Sequence, residues 1–442
     1  MTPMLREEMI LVSVDDHVVE PRDLFEHHLS PAWKSRAPRV ARKKDGSEIW
    51  LFEGQQLPNL ALSAVVGRPP AEWGVEPTSF EQLRPGTWNV HERIRDMNAN
   101  GVFASLCFPS FPSFCGALWT RTKDKGVSLT MLRAYNDWHI DEWCGAYPGR
   151  FIPLALAPLW DPKAMADEIR RVAKKGCHAV SFSESPEKLG LPSLHSEHWN
   201  PFWSACCDEG TIVCIHVGSG PGSGPGTSYT STDAPIDVTL TLAPGQIAGC
   251  AADLLWSRAL RDFPRLRIAL PEVGIGWIPS LLERADRVYA RHRAWTHQDF
   301  AARRPSDLFR EQIVTCFVDD PTGIANRHAV GLDSITWGCD YPRADTSWPR
   351  SPELLEAQLA GLPDAEIDQI THANALRHFR SDPFAQIPRE KCRVGALRAQ
   401  ARDVDLSLTI KSRKPPTTDR AKPVTSADVV RQLASASAAA LE

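Results

Sequence analysis

The sequence lacks the features that mark several classes of protein. It contains no run of about 18 consecutive apolar residues, so we expect no membrane span. It has no stripe of Lys and Arg with interleaved aromatic residues, and its net charge of −4 argues against nucleic-acid binding. The eleven cysteines form no C-x-x-C pair, which argues against structural zinc and a disulfide framework. The N-terminal residues are acidic where a signal peptide would be apolar, and we therefore expect a cytoplasmic protein.

Short apolar and β-branched runs recur along most of the chain. Each is followed by a loop, and several by an amphipathic helical pattern, which is typical of parallel βα units. Eight such units predict a (β/α)8 TIM barrel, with an open doubly wound sheet as the alternative. The predicted strands span residues 10–15, 102–108, 151–157, 178–184, 211–217, 266–272, 312–318 and 334–340.

Three segments do not follow this alternation. Residues 40–95 contain an Asp45-Gly46 turn and then a Pro- and Gly-rich arm, which predicts an insertion after strand one that caps the barrel mouth. The stretch GSGPGSGPGTSYTSTDAP after strand five matches no phosphate-binding motif and predicts a mobile lid. We therefore expect a barrel domain over residues 8–390 and a polar, disordered tail over residues 395–442.

Polar side chains end four of the predicted strands. Strand one ends in Asp15 and His17 with Glu20 just beyond, strand five ends in His216, strand six in Glu272 and strand eight in Asp340. The active site of a barrel lies at the carboxyl ends of its strands, and a buried polar group is costly unless it is paired or bound to a cation. The pattern therefore predicts a metal site built from these six residues. Any one of them alone is more often a cap or a loop hydrogen-bonder, and Glu20 could simply cap the segment that follows.

Strand alternation separates Asp16 from its neighbours. Successive side chains of a strand point to opposite faces, so Asp15 and His17 share one face and Asp16 lies on the other. We expect Asp16 to support the ligands or to cap a helix.

Four motifs occur in a fixed order around these residues. They are Asp15-x-His17-x-x-Glu20-Pro21, Cys214-Ile215-His216-Val217-Gly218, Pro271-Glu272-x-Gly274-x-Gly276-Trp277 and Trp337-x-x-Asp340-Tyr341-Pro342. Together they resemble the amidohydrolase-related family that includes aminocarboxymuconate-semialdehyde and resorcylate decarboxylases. The resemblance implies a TIM-barrel metalloenzyme whose ligands are Asp15, His17, His216 and Asp340.

The sequence also departs from the family pattern. Decarboxylases of the group use a histidine after strand six to move a proton, and this chain has Glu272 there. Dinuclear members of the wider superfamily use H-x-H and a strand-four lysine, whereas this chain has Val19 at the second position and no evident lysine. Arg343 stands where related sequences commonly have histidine. These differences weaken both the assignment as a standard decarboxylase of the group and the assignment as a dinuclear hydrolase.

The number of carboxylates favours an oxygenase. Asp15, Glu20, Glu272 and Asp340 bring four negative charges, which suits two divalent ions, and an oxygen-rich set without thiolate suits iron or manganese as well as zinc. The E-x-x-H pairs of helical di-iron proteins are absent. The resemblance offers a precedent for iron all the same, because the family that this sequence resembles includes the non-haem di-iron hydroxylase of platensimycin and platencin biosynthesis. We therefore expect a di-iron, O2-dependent monooxygenase acting on a bulky, largely apolar substrate such as a terpenoid or acyl thioester.

A metal-dependent hydrolase or decarboxylase is the alternative, with zinc or manganese as the metal and Glu272 as general base. In either case the predicted catalytic residues are Glu272, His216 and Asp340. His139, Arg343 and His372 are candidates for contacting the substrate or supporting the ligands, although each could be only structural. The expected partners are a small-molecule substrate, an electron donor for the oxygenase and a second copy of the chain.

Overall fold

The computed structural model describes residues 6–57, 63–74, 77–220, 231–409 and 422–431. Most of the predicted lid, residues 221–230, lies outside these ranges. The described strands are β1 (Val12–His17), β2 (Arg39–Arg42), β3 (Glu48–Phe52), β4 (Gln55–Leu57), β5 (Ala104–Phe108), β6 (Phe151–Ile152), β7 (Ala155–Leu156), β8 (Ala179–Phe182), β9 (Ile212–Ile215), β10 (Ile268–Leu270), β11 (Ile313–Phe317) and β12 (Ile335–Trp337). All eight strands predicted from the apolar runs are therefore present.

The large sheet closes on itself. Its strand order is β6-β5-β1-β12-β11-β10-β9-β8-β7, and the pairs within it are parallel. The strands at its two ends, β6 and β7, are separated by only two residues and are the halves of one predicted strand, 151–157. A sheet whose two edges belong to one strand is a barrel, so the TIM barrel is confirmed and the open sheet is excluded.

Helices surround the barrel in the expected alternation. Those in the described residues are α1 (Leu24–His28), α2 (Pro31–Lys34), α3 (Val90–Asn100), α4 (Ala117–Arg121), α5 (Lys125–Asp137), α6 (Pro162–Ala173), α7 (Asn200–Glu209), α8 (Ile236–Trp256), α9 (Ala259–Asp262), α10 (Ile278–Thr296), α11 (Pro305–Gln312), α12 (Pro321–Ala325), α13 (Arg327–Val330), α14 (Ser351–Gln358), α15 (Asp364–Asp368), α16 (Asn374–His378) and α17 (Val394–Ala399). The sequence signals are clear in α6, where Asp161 caps the first turn and Pro162 occupies its first position. Met165, Ile169 and Val172 bury its apolar face against the barrel.

The insertion after β1 packs at the end of the barrel where the site residues lie. Strands β2, β3 and β4 form a small antiparallel sheet, and Trp50 of β3 packs on Phe111 with ring centroids 4.3 Å apart. Phe111 follows the carboxyl end of β5, so this sheet lies beside the barrel mouth. Trp50 is buried, and Trp348 is buried as well with its indole N–H donating to the Asp96 carbonyl. These tryptophans therefore fix long loops to the domain.

Helix α8 is the most apolar of the long helices. It is long and apolar enough to cross a membrane by length and composition alone, with a mean hydropathy of 1.3 and 33% of that window buried. Its C-terminal half packs into the core through residues such as Ile247, Ala251 and Leu254. Its N-terminal half carries the exposed side chains Val238 and Leu240. A helix that covers a barrel buries an apolar face in the way that this C-terminal half does.

The C-terminal residues return to the barrel. Helix α17 packs near α3, and Asp403 forms a 2.8 Å ion pair with Arg95 of α3, so ordered structure extends beyond the predicted boundary at residue 395. Residues 422–431 pair with the segment that leads into α8. The Val424 carbonyl accepts a hydrogen bond from the Ile236 amide at 2.9 Å, and the Ala234 carbonyl accepts one from the Ser426 amide at 3.1 Å. The remaining tail residues, 410–421 and 432–442, lie outside the described part of the chain.

Candidate metal centre

Four side chains converge at the carboxyl ends of the barrel strands. His17 Nε2 lies 3.2 Å from Asp340 Oδ1 and 4.0 Å from Asp15 Oδ1. His216 Nε2 lies 3.4 Å from Asp15 Oδ1, and one ligand atom from each of Asp15, His17 and His216 fits within 4.8 Å of the others. All four residues are almost fully buried. The structure therefore brings together residues that lie as much as 325 positions apart in the sequence, at Asp15 and Asp340.

The carboxylate oxygens and imidazole nitrogens of this cluster are suited to bind a divalent cation. Both carboxylate oxygens of Asp15 and Asp340, and Nε2 of His17 and His216, make no hydrogen bond within the described part of the chain. Unpaired buried carboxylates are strongly unfavourable, and their convergence with imidazole nitrogens is the arrangement expected around a bound metal. Two carboxylates and two imidazoles suit manganese, iron or zinc.

A bulge in β1 orients the first two candidate ligands, Asp15 and His17. In its pairing with β5 the register passes from Ser13 opposite Ser105 to Asp16 opposite Cys107, so β1 gains one residue over its partner. Such bulges redirect side chains beside active sites. Here the bulged segment contains Asp15 and delivers it, together with His17, to the inside of the barrel.

The end of β12 is shaped to receive Asp15. Asp340 adopts a left-handed φ of 57°, and its amide donates to the Asp15 carbonyl at 2.7 Å. A Cβ on Gly338 would lie 2.6 Å from the Asp15 Cβ, so only glycine leaves room for that side chain. Left-handed residues other than glycine carry strain that tends to persist at functional sites.

Backbone contacts set the tautomer of His216. Its Nδ1–H donates to the carbonyl of Val217 at 2.5 Å, which leaves the lone pair on Nε2 facing Asp15 and Glu272. A histidine ligand typically donates its other ring N–H in this way. Burial lowers the pKa of His216, but the Glu272 and Asp15 carboxylates more than offset it and raise the pKa above the usual value. A metal ion would take the place of that proton.

Glu272 links the cluster to a cavity. Its Oε2 lies 3.2 Å from His216 Nε2, its φ is 74°, and 23% of its side chain is exposed. Burial and the nearby Asp15 raise the pKa of its carboxyl group. The cavity measures about 600 Å³, and besides Glu272 it is lined by residues that include Leu240, Trp277, Asp319 and Asp345.

Glu20, predicted as a ligand, has a different role. Its two carboxylate oxygens accept hydrogen bonds from the backbone amides of Ser110 and Phe111, at 2.9 and 2.8 Å. The carboxylate therefore anchors the loop after β5 to the end of β1, and the structure does not bring it into the cluster. Burial raises its pKa to about 7, against the opposing effect of the two amides.

Asp16 faces away from Asp15 and His17, as strand alternation predicts. It is buried on the outer face of β1, where it accepts hydrogen bonds from the Tyr341 amide at 2.9 Å and from the Ser105 hydroxyl. Tyr341 follows Asp340 directly. The Asp16 side chain thereby ties the end of β12 to β1 and to β5.

Arg343 lies beside the cluster, whereas the other two predicted supporting residues lie apart from it. The Nη2 of Arg343 is 3.4 Å from His17 Nδ1, and its guanidinium lies over the Phe114 ring at 4.7 Å. His372 contacts Phe384, which also stacks on Phe103, the residue before β5. The amino end of a strand is the opposite end of the barrel, so His372 cannot contact the substrate there.

His139 is packed into the protein outside the barrel mouth. It is fully buried, stacks on Tyr135 of α5 and lies 3.8 Å from the Cys144 sulfur. Burial lowers its pKa to about 4, so it is neutral at physiological pH. These contacts give it a structural role.

The sequence analysis missed two residues near the cluster. Glu184 ends the predicted strand 178–184 and is buried against the turn that follows His216, and Gly338 makes room for Asp15. The signal for Glu184 was available, because it follows an apolar run as the four ligand positions do. The residues around Gly338 do not indicate its importance, because the side chain for which it makes room, Asp15, belongs to a neighbouring strand.

The fold and the cluster place a candidate metal site at the mouth of a TIM barrel. The sequence profile of the amidohydrolase family matches residues 26–381, and the chain belongs to that family. Among curated proteins it is similar to the γ-resorcylate decarboxylase of Rhodococcus jostii (strain RHA1), with 27% identity over 271 residues that cover 58% of this chain and 78% of the relative.

Solved structures share the architecture. An amidohydrolase from Mycobacterium avium subsp. paratuberculosis K-10 superimposes with a TM-score of 0.65 at 19% identity, covering 84% of this chain and 99% of its own. A second neighbour is the 5-carboxyvanillate decarboxylase of Novosphingobium aromaticivorans DSM 12444, solved with bound manganese and 3-methoxy-4-hydroxy-5-nitrobenzoic acid. It superimposes with a TM-score of 0.59 at 16% identity, covering 85% of this chain and 99% of its own. At these identities the likeness establishes the fold.

The expectation of a di-iron, O2-dependent monooxygenase is wrong. The curated relative is a decarboxylase, a structural neighbour carries manganese, and nothing points to the hydroxylase of platensimycin biosynthesis. The structure explains the error: the count of four carboxylates included Glu20, whose oxygens are occupied by backbone amides. The electron donor was expected only for an oxygenase, so that expectation is no longer supported. The alternative, a metal-dependent decarboxylase or hydrolase, is the better supported function.

Proposed function

We propose that the protein is a metal-dependent decarboxylase that releases CO2 from a small carboxylic acid, with an aromatic acid as the first class to test. The position of Glu272 carries the proposal. It is the one carboxyl group within the described residues that both touches the metal cluster, through His216, and lines the 600 Å³ cavity. A proton carrier between metal and substrate is what decarboxylation requires.

Asp15, His17, His216 and Asp340 would hold a single divalent ion, with manganese as the leading candidate. When bound, that ion supplies positive charge that orients the oxygens of an anionic substrate. The protein contributes the geometry: β1 and β12 fix the two aspartates, and the carbonyl of Val217 fixes the tautomer of His216.

Glu272 would deliver the proton. Breaking the bond between the carboxylate and its carbon releases CO2 and leaves the electron pair on that carbon. The protonated carboxyl of Glu272 then gives its proton to the carbon, becomes a carboxylate and is reprotonated from solvent through the cavity. Burial and the charge of Asp15 raise the pKa of Glu272 above its ordinary value, toward the range in which a carboxyl group can give and regain a proton.

Arg343 would hold the anionic end of the substrate. Its guanidinium lies over the face of Phe114 and beside His17, at the edge of the cluster. A planar guanidinium can bind a carboxylate through two parallel N–H groups. This contact would place the scissile bond near Glu272.

A hydrolase remains the second candidate, because the same Glu272 facing a solvent-connected cavity could act as a general base toward water. The two reactions differ in their products. Hydrolysis gives an acid and an alcohol or amine without CO2, whereas decarboxylation gives CO2 and a product one carbon shorter.

The test uses manganese-loaded protein and a panel of hydroxybenzoates in D2O. Decarboxylation predicts CO2 in the headspace and one deuterium at the carbon that carried the carboxylate. Glu272→Gln should lose at least 100-fold in kcat, while Glu272→His, which restores the proton-carrying residue of related decarboxylases, should retain measurable turnover. Ester or amide cleavage without CO2, or full CO2 release by Glu272→Gln, would overturn the proposal.

A further inference from the structure

Glu184 is a buried carboxylate that the mechanism does not use. It follows β8, and the residue is only 5% exposed. Its Oε1 accepts hydrogen bonds from the backbone amides of Gly218 and Gly220, at 3.2 and 3.4 Å. Burying a carboxylate is strongly unfavourable unless hydrogen bonds compensate, so these contacts fasten two barrel loops to each other.

The same turn is held from two further directions. The Ser219 hydroxyl accepts a hydrogen bond from the Glu184 amide at 2.8 Å, and the Ser219 carbonyl accepts one from the Cys115 thiol at 3.0 Å. Gly218 has a left-handed φ of 84°, and a Cβ there would lie 3.2 Å from the Phe114 ring. The turn from Gly218 to Gly220 is therefore fastened to β8 and to the loop after β5.

This turn controls the environment of His216. The Ser219 amide donates to the His216 carbonyl at 3.2 Å, and between these residues the Val217 carbonyl accepts the Nδ1–H of the imidazole at 2.5 Å. The direction of the Val217 carbonyl depends on the backbone of the turn. Loosening the turn would release the hydrogen bond that leaves the lone pair on Nε2.

We propose that Glu184 is a positioning residue for the metal centre: it clamps the Gly218–Gly220 turn so that Val217 fixes the Nδ1-protonated tautomer of His216. The inference rests on the metal site of the proposed function and adds to it a residue that touches neither metal nor substrate. Partners that orient a histidine ligand typically contribute 10- to 100-fold to metal affinity.

The test compares Glu184→Ala and Glu184→Gln with the control Glu187→Ala, an exposed glutamate on the same loop. Titration calorimetry with Mn²⁺ should show affinity reduced about 10- to 100-fold in Glu184→Ala and less than about threefold in Glu184→Gln, because the amide oxygen of glutamine can still accept both N–H groups. Glu187→Ala should bind as wild type does.

A second measurement reads His216 directly. In metal-free wild type held at alkaline pH, where His216 carries no proton on Nε2, ¹⁵N chemical shifts should show the Nδ1-protonated tautomer of His216, and Glu184→Ala should show a mixture of tautomers with an unchanged far-UV spectrum. Wild-type affinity and tautomer in Glu184→Ala would overturn the proposal, as would equal losses in both Glu184 variants accompanied by a lower Tm without metal. If wild type binds no Mn²⁺, the metal site fails, while the tautomer measurement still decides the role of Glu184.

Discussion

Asp340 and His17 face each other across the parallel strands β12 and β1, with Asp340 Oδ1 3.2 Å from His17 Nε2. Neither atom forms a hydrogen bond within the described part of the chain. Burial and the charges of Glu272 and Asp15 raise the pKa of Asp340, and burial lowers that of His17 well below its usual value. Both directions indicate that the metal-free site disfavours charge, and a bound cation would stabilise the ionised carboxylates.

Removal of a bound metal should therefore lower the stability of the protein. Chelation is expected to lower the Tm, and Mn²⁺ at 100 times its Kd should restore about 2.7 kcal/mol of stability. In Asp340→Asn the repulsion among carboxylates is reduced, so the metal-free variant should be at least as stable as metal-free wild type while gaining little from Mn²⁺. Calorimetric melting with and without Mn²⁺ checks both statements, and an equal gain in the two proteins would contradict them.

Replacing Gly338 should damage the site through crowding alone. An alanine Cβ would lie 2.6 Å from the Asp15 Cβ and 3.1 Å from the Cys316 sulfur, so Asp15 must move. We expect Gly338→Ala to lose at least 10-fold in Mn²⁺ affinity and about 1–3 kcal/mol in stability. Gly249→Ala in α8 is the control, because a methyl group there would meet no atom within 4 Å beyond the backbone of its own helix. Unchanged affinity in Gly338→Ala would show that Asp15 is not a ligand.

Glu20 should contribute to stability and not to metal binding. Burial raises its pKa from 4.5 to about 7, so its favourable contribution is complete below pH 4.5 and is lost as the pH rises to about 7. Glu20→Gln cannot ionise. The unfolding free energy of wild type minus that of the variant should therefore fall by on the order of 3 kcal/mol across this range. Denaturant titrations at several pH values measure it, and metal analysis should find equal Mn²⁺ in both proteins.

Arg343 should affect substrate binding more than the chemical step. In Arg343→Gln we expect KM for a carboxylate substrate to rise at least 10-fold with a smaller change in kcat, because the lost contact is made before and during reaction alike. Arg350→Gln, which changes an exposed arginine on the same segment, serves as control. A pure loss of kcat in Arg343→Gln would instead place the guanidinium in the proton-transfer step.

The sequence was sufficient for the barrel and for part of the site. Apolar runs fix where strands form, and parallel strands must end at one face, so the convergence of Asp15, His17, His216 and Asp340 follows from the pattern alone. The role of Glu20 could not be predicted, because its partners are backbone amides 90 positions away. The remoteness of His372 was equally hidden, since a residue after the last strand can lie at either end of the barrel.

The pairing of residues 422–431 with the segment that leads into α8 has a consequence for biosynthesis. Ala234 and Ile236 are translated near the middle of this sequence, yet their backbone partners Ser426 and Val424 follow long after the last barrel strand. The barrel strands can assemble while the ribosome is still at work. Residues 234–236 acquire these hydrogen bonds only when residues 422–431 have emerged, so proteolytic removal of that segment would act on an otherwise assembled barrel.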